Sequence, residues 1–154
     1  TVWENVGFYY LYHTDYTEAK IKGMAVDILK SVGMENVEDL LPEQLSGGMK
    51  KRVSVARALI SKPEVLFYDE PTTGLDPITA ESITNLIKDI HRRLGTTDIT
   101  VTHDVRLASR ISDRIALVEA GRIEDIGTFE ELKKKSQNPI IRSFVDGGAN
   151  NEER

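Results

Sequence analysis

Ser46-Gly47-Gly48, Asp69-Glu70, Asp76 and His103 are the residues whose types and spacing could do chemistry, and that chemistry concerns phosphate and its metal. Ser46 is placed to cap a helix predicted over 49–61, and two glycines leave its first backbone N–H groups unshielded. A helix start of this kind receives anions through free N–H donors and the helix dipole. Lys50, Lys51 and Arg52 crowd the first turn, where cations oppose the dipole, so a bound anion would relieve a local misfit. The same residues also fit an ordinary glycine-bearing cap. The run VLFYDE at 65–70 is apolar and ends in two carboxylates. An α/β sheet presents acids in this way at the carboxyl ends of its strands, where ligands bind. Alternation along a strand would aim Asp69 and Glu70 differently, one able to hold Mg²⁺ and the other to polarise an attacking water. A solvated strand end is the plain alternative. It loses ground because Pro71, a short loop and a third acid, Asp76, follow at once. His103, after the β-branched run ITVT, can accept from a water or donate to a phosphate oxygen; a lone histidine can equally be structural.

The elements that must position these residues follow from periodicity and caps. Residues 17–32 read as a helix capped by Thr17, with Ile21, Met24, Ala25, Ile28 and Leu29 on one face and Gly33 as its stop. The helix over 49–61 should bury Val53, Ala56 and Leu59 or Ile60. A further helix over 78–94 turns Ile83, Leu86, Ile87 and Ile90 inward and ends at Gly95. The segments 65–70 and 98–102 are expected as buried strands lying side by side, which would put His103 on the rim carrying the two acids. Residues 105–112 look helical, 114–127 read as two short strands around Glu119-Ala120-Gly121, and 129–135 as a helix with a basic end. The aromatic opening, with Trp3, Phe8, Tyr9, Tyr10 and Tyr12, fits a core element or a docking face for a partner. The tail after Gly147 is expected to fray.

At 154 residues the chain has the size of one domain with a real core. A net charge of −5 argues against nucleic acid as a partner, since a phosphate-rich duplex wants a basic face. The absence of cysteine removes disulfide and thiolate-metal chemistry, and the three histidines lack metal-ligand spacing. No apolar run reaches the ~18–20 residues that span a bilayer, and no secretory-signal pattern is present. The sequence begins with Thr1, and the expectation is a piece of a longer chain.

LSGGMKKRVSVARAL (45–59) resembles the signature of ABC transporter ATPase subunits, VLFYDEP their Walker B segment, TTGLDP their D-loop and VTHD their switch-histidine loop. The motifs stand in the family's order and spacing. The resemblance implies an α/β fold, a partial P-loop NTPase (ABC ATPase) with a helical subdomain followed by the C-terminal part of a mainly parallel RecA-like sheet. The divisions it suggests are 1–62 for the helical, signature-bearing part, 63–128 for the Walker B, D-loop and histidine-loop part, and 129–154 for C-terminal helices and tail. It further implies ATP and Mg²⁺ as cofactors: Asp69 organising the metal, Glu70 as general base, and His103 contacting the γ-phosphate. Asp76 would cross a dimer interface. Ser46, Gly47 and Gly48 would clamp ATP bound mainly to the opposite subunit of a head-to-tail dimer. Implied partners are a second ATPase subunit and a transmembrane permease, which would hold the chain on the inner face of the plasma membrane.

GLDPIT, the opening TVWENV and the closing NPIIRSFVDG are similar to ATPases of MCE-associated lipid transporters, which adds lipid transport and an MCE-type lipid-binding protein to the expectations. The phosphate loop G-x-x-x-x-G-K-[ST] is not found in the sequence. That loop supplies the backbone cradle and lysine for the β- and γ-phosphates, so the chain by itself is expected neither to bind ATP tightly nor to turn it over. A bare core face is also expected to make it prone to aggregate. Two alternatives stand beside the transporter reading. One is a non-transport ATPase of the same superfamily; the other is a non-catalytic module lending Ser46-Gly47-Gly48 to a partner's site.

Overall fold

A computed structural model of the chain describes residues 1–134 and Arg142. The tail and, Arg142 apart, the 138–147 motif lie outside the described residues. In chain order the elements are α1 (Val2–His13), α2 (Glu18–Ser31), α3 (Gly47–Leu59), β1 (Val65–Asp69), α4 (Pro77–Leu94), β2 (Thr97–Val101), α5 (Val105–Ile111), β3 (Ile115–Glu119), β4 (Arg122–Gly127) and α6 (Phe129–Lys134). By their contacts they divide into two compact units, 1–99 and 100–154.

In the first unit the helices form where local signals place them. The Thr17 hydroxyl accepts from the Lys20 N–H to cap α2. Ile21, Ala25 and Leu29 of α2 are buried, and Gly33 at φ +75° ends the helix region, a conformation glycine adopts without penalty. α4 buries Ile83, Leu86, Ile87 and Ile90 and stops at Gly95, φ +65°. Burying side chains of this size stabilises by about 1.5–3 kcal/mol each. Val53, Ala56, Leu59 and Ile60 of the α3 segment are buried as expected, and α1, α2 and α3 pack on one another. Arg52 of α3 ties this bundle to its neighbours: its guanidinium donates to the Val32 carbonyl and, at 2.7 Å, to Ser82 Oγ of α4.

α1 answers the question left open at the aromatic opening. Val2, Val6 and Gly7 are its buried face. Gly7 is there because a Cβ would meet Ile21 Cγ2 of α2 at 2.4 Å. Phe8, Tyr9 and Tyr12 instead face outward, 57%, 59% and 71% exposed, so the core reading fails for them. Their rings lie tilted against one another and against His13, Phe8 by Tyr12 at 4.8 Å and Tyr9 by His13 at 4.9 Å between ring centroids.

β1 and β2 pair in a two-stranded sheet, as the side-by-side reading expected, and the Thr97 N–H donates to the Glu64 carbonyl at its start. Burial on both faces was expected and is not observed. In β1, Leu66 and Tyr68 are buried while Val65 and Phe67 are exposed, and in β2 Ile99 is 44% exposed. In β1 one face is buried and the other exposed, and in β2 the alternation runs between half-buried and exposed positions.

In the second unit, Asp104 caps α5 through Oδ1, which accepts from the Arg106 and Leu107 N–H groups at 2.9 and 3.2 Å. β3 and β4 form an antiparallel hairpin with an irregularity at Leu117/Val118, turning at Ala120 and Gly121, both with positive φ. Two left-handed residues in succession make the tight turn whose twist suits a hairpin. Thr128 and Glu131 cap α6 reciprocally, and Ala108, Ile115, Leu117 and Leu132 form a small core with Phe129 against it.

Candidate functional site

α3 begins at the glycine pair itself, Gly47–Leu59, two residues earlier than predicted. Its cap is Ser46, whose Oγ accepts from the Met49 N–H at 3.3 Å. Ser46 and Gly47 are exposed and Gly48 half-buried, so the start of the helix is open to solvent. Gly48 has a packing reason as well: a Cβ there would stand 2.5 Å from Thr79 Cγ2, and one at Gly47 would touch Leu75 Cδ2 at 3.4 Å. The start of α3 is therefore pressed against the start of α4.

α4 is capped by Asp76, whose Oδ1 accepts from the Ile78 and Thr79 N–H groups at 3.1 and 3.0 Å, with Pro77 at the first helical position. The Thr79 side chain, then the backbone N–H groups of Thr79 and Ile78, hold the Asp76 carboxyl below its ordinary value of 3.8. Ser46 and Asp76 are thus two helix caps set close together, and the structure brings Ser46-Gly47-Gly48 and Asp76 to one place.

Asp69 ends β1 and is exposed. Glu70 does not continue the strand, so the expected alternation of the two carboxylates along a strand is replaced by a turn. Glu70 has φ +45°, a left-handed conformation that costs a residue with a side chain of order 1–3 kcal/mol and persists only where neighbours hold it. Three donors from two residues do so here. Lys51 Nζ of α3 donates to the Glu70 carbonyl at 2.9 Å, the Thr73 N–H donates to the same oxygen at 3.3 Å, and Thr73 Oγ1 donates to the Glu70 carboxylate at 2.8 Å. Lys51 and Thr73 were missed by reasoning from sequence. For Thr73 a signal existed, a hydroxyl three residues after an acid in a Pro-Thr-Thr-Gly turn; for Lys51, nineteen residues away, none did.

The lysines and arginine after Ser46 also read differently. The expectation was a local misfit awaiting an anion. Lys51 instead finds the Glu70 carbonyl, and Arg52 finds Val32 and Ser82, so two of these cations are met by acceptors within the first unit. His103 belongs to the second unit, exposed and just ahead of the Asp104 cap of α5.

For a metal, no group of three or more His, Asp or Glu side chains occurs among the described residues. Mg²⁺ needs none, since one or two carboxylates with water and phosphate oxygens complete its shell. The exposed Asp69 fits that mode, and the exposed helix start at Ser46 and Gly47 fits a phosphate oxygen. A groove of about 600 Å³ between α2, α3 and α4, lined by Arg52, Asn85 and Lys88 among others, contains none of the candidate residues. Among the described residues, no helix is long and apolar enough to cross a membrane.

The ABC transporter family model matches residues 1–73. A methionine import ATP-binding protein of Xylella fastidiosa is 41% identical over 145 residues, covering 94% of this chain and 43% of the relative. Its counterpart in Geobacillus kaustophilus is 43% identical over 119 residues, covering 77% and 35%. The chain thus spans less than half the length of the curated relatives it matches. Among solved structures, the dimeric post-hydrolysis state of the ATP-binding cassette MJ0796 bound to ADP and Pi superimposes with TM-score 0.71 at 32% identity, covering 83% of this chain and 56% of that one. A second dimeric structure of MJ0796, a bacterial ABC transporter cassette, agrees at TM-score 0.71 and 33% identity. Sequence match and fold together make this chain similar to the ATP-binding domains of ABC transporters, and its fold is part of the α/β ABC ATPase fold.

Proposed function

We propose that the chain is part of an ATP-hydrolysing subunit of an ABC transporter that works as a head-to-tail dimer beneath a membrane permease. The observation that carries this is the Glu70 turn, where a carboxylate beside a strand-end aspartate is held in a left-handed backbone by Lys51 and Thr73. Holding a carboxylate at a fixed angle suits a group that must orient and polarise one water. In this reading Glu70 accepts the proton of the attacking water. Asp69 holds Mg²⁺, which when bound supplies charge neutralisation to the phosphates. His103 donates to a γ-phosphate oxygen. Ser46, Gly47 and Gly48 offer a hydroxyl and N–H donors to the nucleotide of the opposite subunit, and Asp76 lies at the junction with that subunit. The dimeric state of the MJ0796 structures supports the two-subunit arrangement, and the proximity of the Ser46 and Asp76 caps supports a shared edge. The working divisions are 1–62, 63–128 and 129–154.

The test uses a longer chain in which a G-x-x-x-x-G-K-[ST] loop precedes this sequence. Glu70→Gln should abolish multiple turnover of ATP, by about 100-fold or more on the scale typical of a lost general base, while nucleotide binding persists. Retained multiple turnover would sink the role of Glu70.

For the cargo, two readings have support. GLDPIT at 74–79 and the flanking motifs favour lipid, with an MCE-type protein as further partner. The curated relatives at 37–43% identity are named for methionine import. Purification of the assembled transporter separates them: phospholipid with an MCE-type protein supports the first, a methionine-stimulated ATPase the second.

A further inference from the structure

We propose that Lys51 is a positioning residue for the Glu70 carboxylate, keeping the left-handed turn from which that carboxylate is presented. The inference rests on the reading of Glu70 as the water-polarising group. Three observations carry it. Lys51 Nζ donates to the Glu70 carbonyl at 2.9 Å, and the contact is partly buried, where a charge-assisted hydrogen bond is among the stronger ones. Glu70 has φ +45°, which a residue with a Cβ does not hold unaided. Its carboxylate accepts from Thr73 Oγ1 at 2.8 Å and its carbonyl from the Thr73 N–H at 3.3 Å, so Lys51 is the holder that reaches this turn from another element.

The lysine reaches this carbonyl from another element. It stands on α3, the fifth residue of a helix whose start is Gly47. A cation near a helix start gains nothing from the dipole. Directed into the Glu70 carbonyl, the charge instead joins the helix that begins at Ser46-Gly47-Gly48 to the turn that carries the acid. A carboxylate released from this turn would swing by an ångström or more, and misplacement on that scale lowers rate while leaving substrate binding alone.

The experiment measures kcat and KM for ATP in the longer chain carrying the phosphate loop, in Lys51→Met, Lys51→Arg and Glu70→Gln variants. Lys51→Met keeps the aliphatic stem and removes the donor. It should lower kcat by about tenfold to 100-fold with KM unchanged, and Lys51→Arg, which restores a charged donor, should recover most of the loss. Wild-type kcat in Lys51→Met, a loss confined to KM, or no recovery in a folded Lys51→Arg each overturns the positioning role. If Lys51→Met does not fold, Lys51→Gln, which offers only a neutral donor on a shorter stem, takes its place with the same criteria. Glu70→Gln separates the two levels. Turnover lost there but unaffected by Lys51 variants removes only the positioning role, whereas turnover retained in Glu70→Gln removes the reading beneath it.

Discussion

Tyr68, one residue before Asp69, is buried with its hydroxyl lacking a hydrogen-bond partner among the described residues, and so is Oδ2 of Asp98. Asp98 is otherwise engaged, Oδ1 accepting from Thr96 Oγ1 at 2.7 Å and Oδ2 lying 3.4 Å from His91 Nδ1. Burial first, and then the Asp98 charge, push the Tyr68 phenol well above its ordinary value of 10.0. A group whose folded value is raised contributes fully below the unfolded value and loses that contribution as pH rises. The protein is therefore expected to weaken as pH climbs past about 10. Tyr68→Phe should blunt that alkaline loss, and at neutral pH should leave stability unchanged or raise it by up to about 1 kcal/mol, because an orphaned hydroxyl is removed. Urea unfolding at pH 7 and pH 10.5 checks both, and a destabilised Tyr68→Phe at pH 7 would show that the hydroxyl is satisfied. At this scale the sequence was readable where the partner is local. Ser46 and Thr17 cap their helices because a short side chain reaches an N–H three residues on. The left-handed Glu70 and its tether to Lys51 were not readable, because they depend on α3 and the turn after β1 meeting in space.

Gly48 shows the same limit for elements. Its place at a helix start was plain from sequence, and its exposed N–H groups could be inferred. Its second role, letting α3 approach α4 so closely that a Cβ would stand 2.5 Å from Thr79 Cγ2, belongs to a helix crossing that no local pattern encodes. Gly48→Ala is helix-favouring by about 1 kcal/mol from propensity alone. The contact should more than reverse this, since Thr79 is a short β-branched side chain that cannot swing away, and overpacking typically costs about 1–3 kcal/mol. A net loss of stability on Gly48→Ala, relieved in Gly48→Ala/Thr79→Ser, is the expected result in thermal unfolding. An Ala variant as stable as the parent would show that the helices part freely. The helices after α1 were legible, most plainly where a buried stripe recurs every three or four residues, as Ile83, Leu86, Ile87 and Ile90 do on α4, whereas the aromatic run that forms α1 left its element type open. Strands were legible only as strands. Five apolar residues look the same whether one face or two is covered, and Val65, Phe67 and Ile99 had to be seen to be known as bare.

That bare face matters for the molecule as a whole. Val65, Phe67 and Ile99 are 45%, 73% and 44% exposed on neighbouring strands, and β1 and β2 form a sheet of two strands. A two-stranded sheet with one naked apolar face is marginal in water, and a contiguous apolar patch of this sort drives association. Phe67 is the largest contributor, and it sits opposite in phase to the buried Leu66 and Tyr68, so it can be changed without touching the buried side of β1. The 154-residue chain on its own is expected to self-associate at micromolar concentration. Phe67→Ser should reduce that association while leaving helix content by circular dichroism unchanged, because the residue contributes surface and not core. Analytical ultracentrifugation of the two proteins decides the matter. A parent that sediments as a monomer, or a Phe67→Ser variant that associates equally, would place the sticky surface elsewhere, and the outward aromatics Phe8, Tyr9 and Tyr12 of α1 would be the next residues to change. Placed within a longer chain the expectation inverts. If added strands or helices cover Phe67, Phe67→Ser should cost stability on the scale of a buried aromatic, about 3 kcal/mol or more, and one substitution then reports whether that face is surface or core.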